Sequence, residues 1–128
     1  MITIDKFDRV YDDFFCFRYT IKDITYRSGI FFSEKCSDKH FAEIFNSIQE
    51  NLIWLKQNVD IVKSNIKDRL PIDADVEVFY NIYIIAFSLF FEKKSSIPTI
   101  QLAYGNEEGE TYLIAKIKDK QIISVELN

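Results

Sequence analysis

Residues 41–66 read FAEIFNSIQENLIWLKQNVDIVKSNI, and the apolar side chains in that stretch fall at Phe41, Phe45, Ile48, Leu52, Leu55, Val59, Val62 and Ile66. The spacings alternate four and three, which on an α-helix draws one stripe along one side. The stretch therefore predicts a single helix of roughly 40 Å at 1.5 Å per residue, long enough to cross a domain of this size. Ile53 and Trp54 lie beside the stripe and widen it beyond a strict coiled-coil seam, which favours burial against the chain's own strands over pairing with a second copy. Asn58 to Asp60 offers a place for a break, but the stripe passes through without a change of phase, so one helix is expected. Ser33, Ser37 and Asp38 are candidate caps before it, Lys63 and Lys67 suit the negative end of its dipole, and Pro71 ends it.

Towards the N-terminus, Ile4, Phe7, Tyr11 and Phe14 repeat at helical spacing behind Thr3, a candidate cap, so a first short helix is expected there. From Phe15 the period changes to two: Phe15, Phe17, Tyr19 and Ile21 alternate with Cys16, Arg18, Thr20 and Lys22. Two readings stay open, that the helix stops there or that it continues. Ile24 to Phe32 is β-branched and aromatic around a Ser28-Gly29 turn signal and reads as extended or irregular.

Towards the C-terminus, Ile72 to Asn81 opens with Asp73, Asp75 and Glu77 and has no decided type. Ile82 to Phe91 is almost continuously apolar, which predicts a strand at the centre of a sheet. Thr99 to Tyr104, a loop holding Glu107, Glu108 and Glu110, the alternating Thr111 to Lys118, an Asp119-Lys120 turn and Gln121 to Leu127 then read as an antiparallel meander. The expected fold is one α+β domain over residues 1–128, with N-terminal helices, one of them long, packed on one face of a C-terminal antiparallel β-sheet.

Composition narrows the function classes. Hydrophobic residues at 48% with twelve Phe and seven Tyr argue against disorder. The formal charge of −4 disfavours general attraction to nucleic acid or anionic membrane and favours a basic partner. The N-terminal MITIDKFDRV lacks the basic and apolar runs of an export signal, and the apolar run Ile82 to Phe91 is about half a membrane-spanning helix, so a cytoplasmic protein is expected. Cys16 and Cys36 have neither zinc-site nor redox CxxC spacing and read as small buried hydrophobes with reduced thiols.

No residue pattern points to catalysis. Phosphate-binding glycine loops, GxSxG and HExxH are absent from the sequence, and the single histidine, His40, has no partner for a triad or metal site nearby in sequence. The pairs Asp12-Asp13 and Glu107-Glu108 lack the buried setting that raises one carboxyl for acid–base work. No catalytic residue, metal or cofactor is therefore expected. The remaining signal is acidic patterning: Asp73, Asp75 and Glu77 before the central strand, and Glu107, Glu108 and Glu110 in the hairpin loop. Clusters of that kind read either as solvated turns or as a docking surface for a basic protein.

In layout, from an aromatic-rich helical half to the terminal meander PTIQLAYGNEEGETYLIAKIKDKQIISVELN, the chain resembles immunity proteins of bacterial toxin–immunity systems. That resemblance implies a non-enzymatic, inhibitory binding role toward a toxin domain, and it transfers no binding residue. Two alternatives stand beside it: a structural homo-oligomer or scaffold built on the long helix, and a small-ligand-binding domain with an aromatic pocket.

Overall fold

Alternation, not helical spacing, governs the first third of the chain. In the computed structural model, which describes residues 2–128, a 3-10 turn at Ile4–Lys6 leads into strands β1 (Asp8–Tyr11), β2 (Phe14–Ile21) and β3 (Ile24–Phe32). Helices α1 (Asp38–Lys67) and α2 (Val76–Asn81) follow, then strands β4 (Tyr83–Phe91), β5 (Thr99–Gly105), β6 (Thr111–Lys118) and β7 (Gln121–Leu127). The class is α+β. The expected N-terminal helix is replaced by strands, and the sheet is built from both ends of the chain.

The false helical signal has a local cause. Tyr11 and Phe14 are Cα partners across the Asp12-Asp13 turn, and their rings stack with centroids 6.5 Å apart. A hairpin partner three residues away has the sequence spacing of a helix neighbour. Phe7, by contrast, turns into the core, with its ring 4.9 Å from that of Phe17 and 5.5 Å from that of Phe45. Thr3 caps no backbone N–H, and its hydroxyl donates to the Asp5 carboxylate instead.

The seven strands lie in chain order, β1 to β7, and every neighbouring pair is antiparallel except β3 and β4. A parallel pair needs a crossover, which α1 and α2 supply. The sheet is therefore mixed where an antiparallel one was expected, and β4 takes its middle position as expected. Lys22 and Asp23 (φ 49° and 67°) turn the β2–β3 hairpin, as Asp119 and Lys120 (φ 50° and 64°) turn β6–β7, both with the positive φ that a two-residue hairpin demands. Ser28-Gly29 is not a turn: both residues lie inside β3. There a Cβ on Gly29 would fall 2.5 Å from the Phe14 ring, so the glycine is what lets that ring lie across the strand.

Register sorts the strand residues into two sets. Phe15, Ile30, Leu89, Ile100 and Ile117 are successive partners across β2 to β6, and all are buried. They share one core cluster with Phe41, Ile44, Ile48, Leu52, Leu55, Val62 and Ile66 of α1. Phe41 joins the two most directly, its ring stacked on Phe15 at 4.1 Å and edge-on to Phe32 at 6.5 Å.

The stripe of α1 is buried except for Phe45 and Val59, which are partly buried. Ser37 caps the helix, its hydroxyl accepting from the His40 N–H at 3.0 Å. The run is not a single straight helix, because Asn58 leaves helical geometry at φ −121° and ψ 15°. Its side-chain amide donates to the Trp54 carbonyl at 2.8 Å, at the acceptor that its own backbone N–H would use in a regular helix. The apolar stripe carries no trace of this, because the competition lies in a polar side chain.

Candidate functional site

The register of β4 and β5 sends the two acidic segments of the sequence out at one end of the sheet. β4 begins at Tyr83, whose Cα partner is Gly105 at the end of β5. The segment before Tyr83, with Asp73, Asp75 and Glu77, and the loop after Gly105, with Glu107, Glu108 and Glu110, therefore leave the sheet at the same end. β3, parallel to β4, also starts there, at Ile24.

The loop is held in one shape by its own backbone. The Asn106 side-chain oxygen accepts from the N–H of Glu108 at 3.1 Å and of Glu110 at 3.0 Å. The Gly109 N–H donates to the Asn106 carbonyl at 3.0 Å, and the Asn106 N–H to the Glu110 carbonyl at 3.2 Å. Gly109 supplies the left-handed φ of 81° that closes the loop, with open space around it. At Gly105 a Cβ would fall on the backbone carbonyl of Glu110, so only glycine permits this tight closure. All three glutamates are exposed at the tip.

The other cluster is anchored differently. The Asp75 carboxylate accepts from the Val78 N–H at 3.2 Å and so caps α2, leaving Asp73 and Glu77 exposed and free of such a duty. Phe79 is the buried side chain of α2. The Lys63 ammonium of α1 donates to the Ile82 carbonyl and stands 5.3 Å from the Phe79 ring centroid, while Lys67 stands 4.9 Å from that of Tyr80. Burial pulls the pKa of Lys63 below its usual value, against the raising influence of Asp60. Two lysines of α1 thus tie α2 down by its carbonyls and rings and leave its carboxylates to solvent. None of the six carboxylates joins an ion pair among the described residues.

Sequence reasoning missed the apolar half of this end. Ile24 (42% exposed) and Tyr83 (40%) lie beside Glu107, while Tyr80 (57%), Val76 and Val78 are exposed on α2 and Ile72 is fully exposed before it. A hollow of about 310 Å³ between Ile24, Tyr83 and Glu107 also takes in Arg27, so the end is not wholly acidic. The signal was present in VEVFYN, where one side chain in an apolar run faces inward and the rest do not, but choosing which needs the tertiary fold.

The remaining candidates stay apart. Cys36 is buried, its thiol donates to the Ser37 carbonyl at 3.6 Å, and burial pushes its pKa up, with only partial opposition from Arg9. That is the setting of an inert thiol. Cys16 lies half-buried on β2, and both cysteines are free. His40 stands 3.9 Å from Glu43 at the start of α1. Among the described residues no group of His, Cys, Asp and Glu side chains is arranged to hold a metal ion, and no helix is long and apolar enough to cross a membrane. No protein-family model, no curated protein and no solved structure matches the chain.

Proposed function

We propose that this chain is a non-enzymatic protein-binding inhibitor that docks a basic partner domain on the acidic end of its sheet, with α1 covering the sheet face behind that surface. The observation that carries this reading is that the loop holding Glu107, Glu108 and Glu110 and the segment holding Asp73, Glu77 and Tyr80 leave the sheet at one end, where Ile24, Tyr83 and Glu107 line one hollow. Exposed tyrosines and aliphatics can supply the desolvated centre of an interface, and surrounding carboxylates supply steering and register. A loop already fixed by Asn106 pays little ordering entropy on binding. The resemblance to immunity proteins of toxin–immunity systems supports the inhibitory part of the reading and implies a toxic enzyme as the partner.

A homo-oligomer built on the α1 stripe is the weaker reading, because the stripe is occupied in the chain's own core. The test is capture from source cells, at low salt, with the parent chain and with a variant carrying Glu107→Lys, Glu108→Lys and Glu110→Lys. The expected result is one stoichiometric basic protein held by the parent and lost by the variant, and inhibition of that protein's activity by added parent chain. Equal capture by both chains would remove the loop from the interface, and capture of nothing would sink the proposal.

A further inference from the structure

A second surface, opposite in charge, lies along β2. β1 pairs with β2 only through Phe14, Phe15 and Cys16, so Phe17 to Ile21 has a strand on the β3 side alone. In the two-residue Lys22-Asp23 hairpin, Ile21 and Ile24 flank the turn and exchange both backbone bonds. Counting back by twos, Tyr19 and Phe17 also bond to β3, and Arg18 and Thr20 turn their N–H and C=O groups outward. Both residues are exposed.

The edge borders a hollow of about 600 Å³ between β2 and the N-terminal segment, whose charged lining is Lys6, Arg18, Arg27 and Lys56 against the single carboxylate of Asp8. None of these four cations joins an ion pair among the described residues. Arg18 and Arg27 are moreover direct cross-strand partners, an arrangement of like charges that costs stability in a sheet. In a chain with a formal charge of −4, four unpaired cations beside an unpaired strand edge form a surface that one kind of ligand would satisfy on both counts.

We propose that the free edge of β2 accepts an extended acidic segment of a partner protein as an added strand continuing the line of β1. Its backbone bonds to Arg18 and Thr20, and its carboxylates, at alternate positions and so on one face, meet Arg18 and Arg27, while Lys56 stands on the other side of the sheet. Lys56 belongs on that other side because its ammonium stands 5.6 Å from the ring centroid of Tyr19, one residue on from Arg18. Strand addition draws affinity from main-chain bonds and specificity from alternate side chains, which is what distinguishes it from simple attraction of a polyanion. A phosphate chain would satisfy the cations but not the outward-facing backbone groups. The competing explanation is that Arg18 merely guards an edge against aggregation, as charges on edge strands do.

The experiment uses the full chain and a short labelled peptide of alternating Glu and Val, followed by fluorescence anisotropy and amide hydrogen exchange. Controls are the same peptide N-methylated along its backbone, which removes the backbone donors and keeps every carboxylate, and a single-stranded oligonucleotide. The expected result is salt-dependent binding of the Glu-Val peptide and slowed exchange at the Arg18 and Thr20 amides. Binding should weaken about tenfold or more in an Arg18→Gln, Arg27→Gln variant whose denaturation midpoint is unchanged or raised. Equal binding of the N-methylated peptide, tighter binding of the oligonucleotide, no binding of the Glu-Val peptide, or binding without protection at Arg18 and Thr20 would each overturn the proposal.

Discussion

Two rows of the same sheet, one residue apart, behave as different materials. Phe15, Ile30, Leu89, Ile100 and Ile117 align across five strands, and the most exposed of them, Phe15, is at 4%. Phe14, Phe31, Phe90, Thr99 and Lys118 align across the same strands, yet Phe31 is 44% and Phe90 38% exposed, and the row ends in a lysine. Because side chains alternate with a period of two, a slip of one residue would exchange the rows and bury Lys118, so the core row pins the register of the sheet. The other row is then at liberty to carry polar groups, aromatic pairs and, farther along the same side, the Arg18–Arg27 pair.

The comparison breaks first at the core. Leu89→Ala and Leu52→Ala should each cost about 2–5 kcal/mol through lost transfer free energy and a residual cavity, read as a shifted urea midpoint. A loss within about 0.5 kcal/mol would mean that the row, or the α1 stripe, faces solvent. Phe31→Ala sharpens the contrast: its ring stacks on Phe14 at 4.5 Å but is largely wet, so a loss of about 1 kcal/mol is expected, the size of an aromatic pair. A loss equal to that of Leu89→Ala would show that the second row is a second core.

Smaller still is Tyr104→Phe. Tyr104 is buried on the core side, and its hydroxyl, unlike that of Tyr26, which donates to the Ile84 carbonyl at 2.7 Å, has no hydrogen-bond partner among the described residues. Removing an unpaired buried hydroxyl should leave stability unchanged or raise it by up to about 1 kcal/mol. A clear loss in the same denaturation assay would show that the hydroxyl is satisfied after all.

The parts of this fold that were legible in sequence are those where the signal is local. The α1 stripe and the alternating strands from Thr111 onward announce themselves because neighbours in space are fixed neighbours in sequence. The β2–β3 hairpin was hidden because the glycine of Ser28-Gly29 drew the turn signal into what is the middle of β3, and β1 was hidden by the helical spacing of Tyr11 and Phe14. Of the candidate site, the carboxylates were visible as charges. That both segments leave the sheet at one end was not, since it depends on the Tyr83–Gly105 register across two strands, and the exposure of Tyr80 depends on α2 burying Phe79 instead. The basic edge was invisible for a similar reason: it exists only because β1 stops short of Arg18.

The smallest expected change in stability accompanies the change most telling for function. The Glu107→Lys, Glu108→Lys, Glu110→Lys variant alters exposed loop tips held by Asn106 and should unfold within about 0.5 kcal/mol of the parent. Its association with the captured partner, followed by stopped-flow at low and moderate salt, is the direct measurement. The parent should associate fast and slow markedly as salt screens charges over about 8–10 Å, and the variant should associate slowly at both salts. Identical rates for parent and variant, each indifferent to salt, would contradict the acidic end as the docking surface.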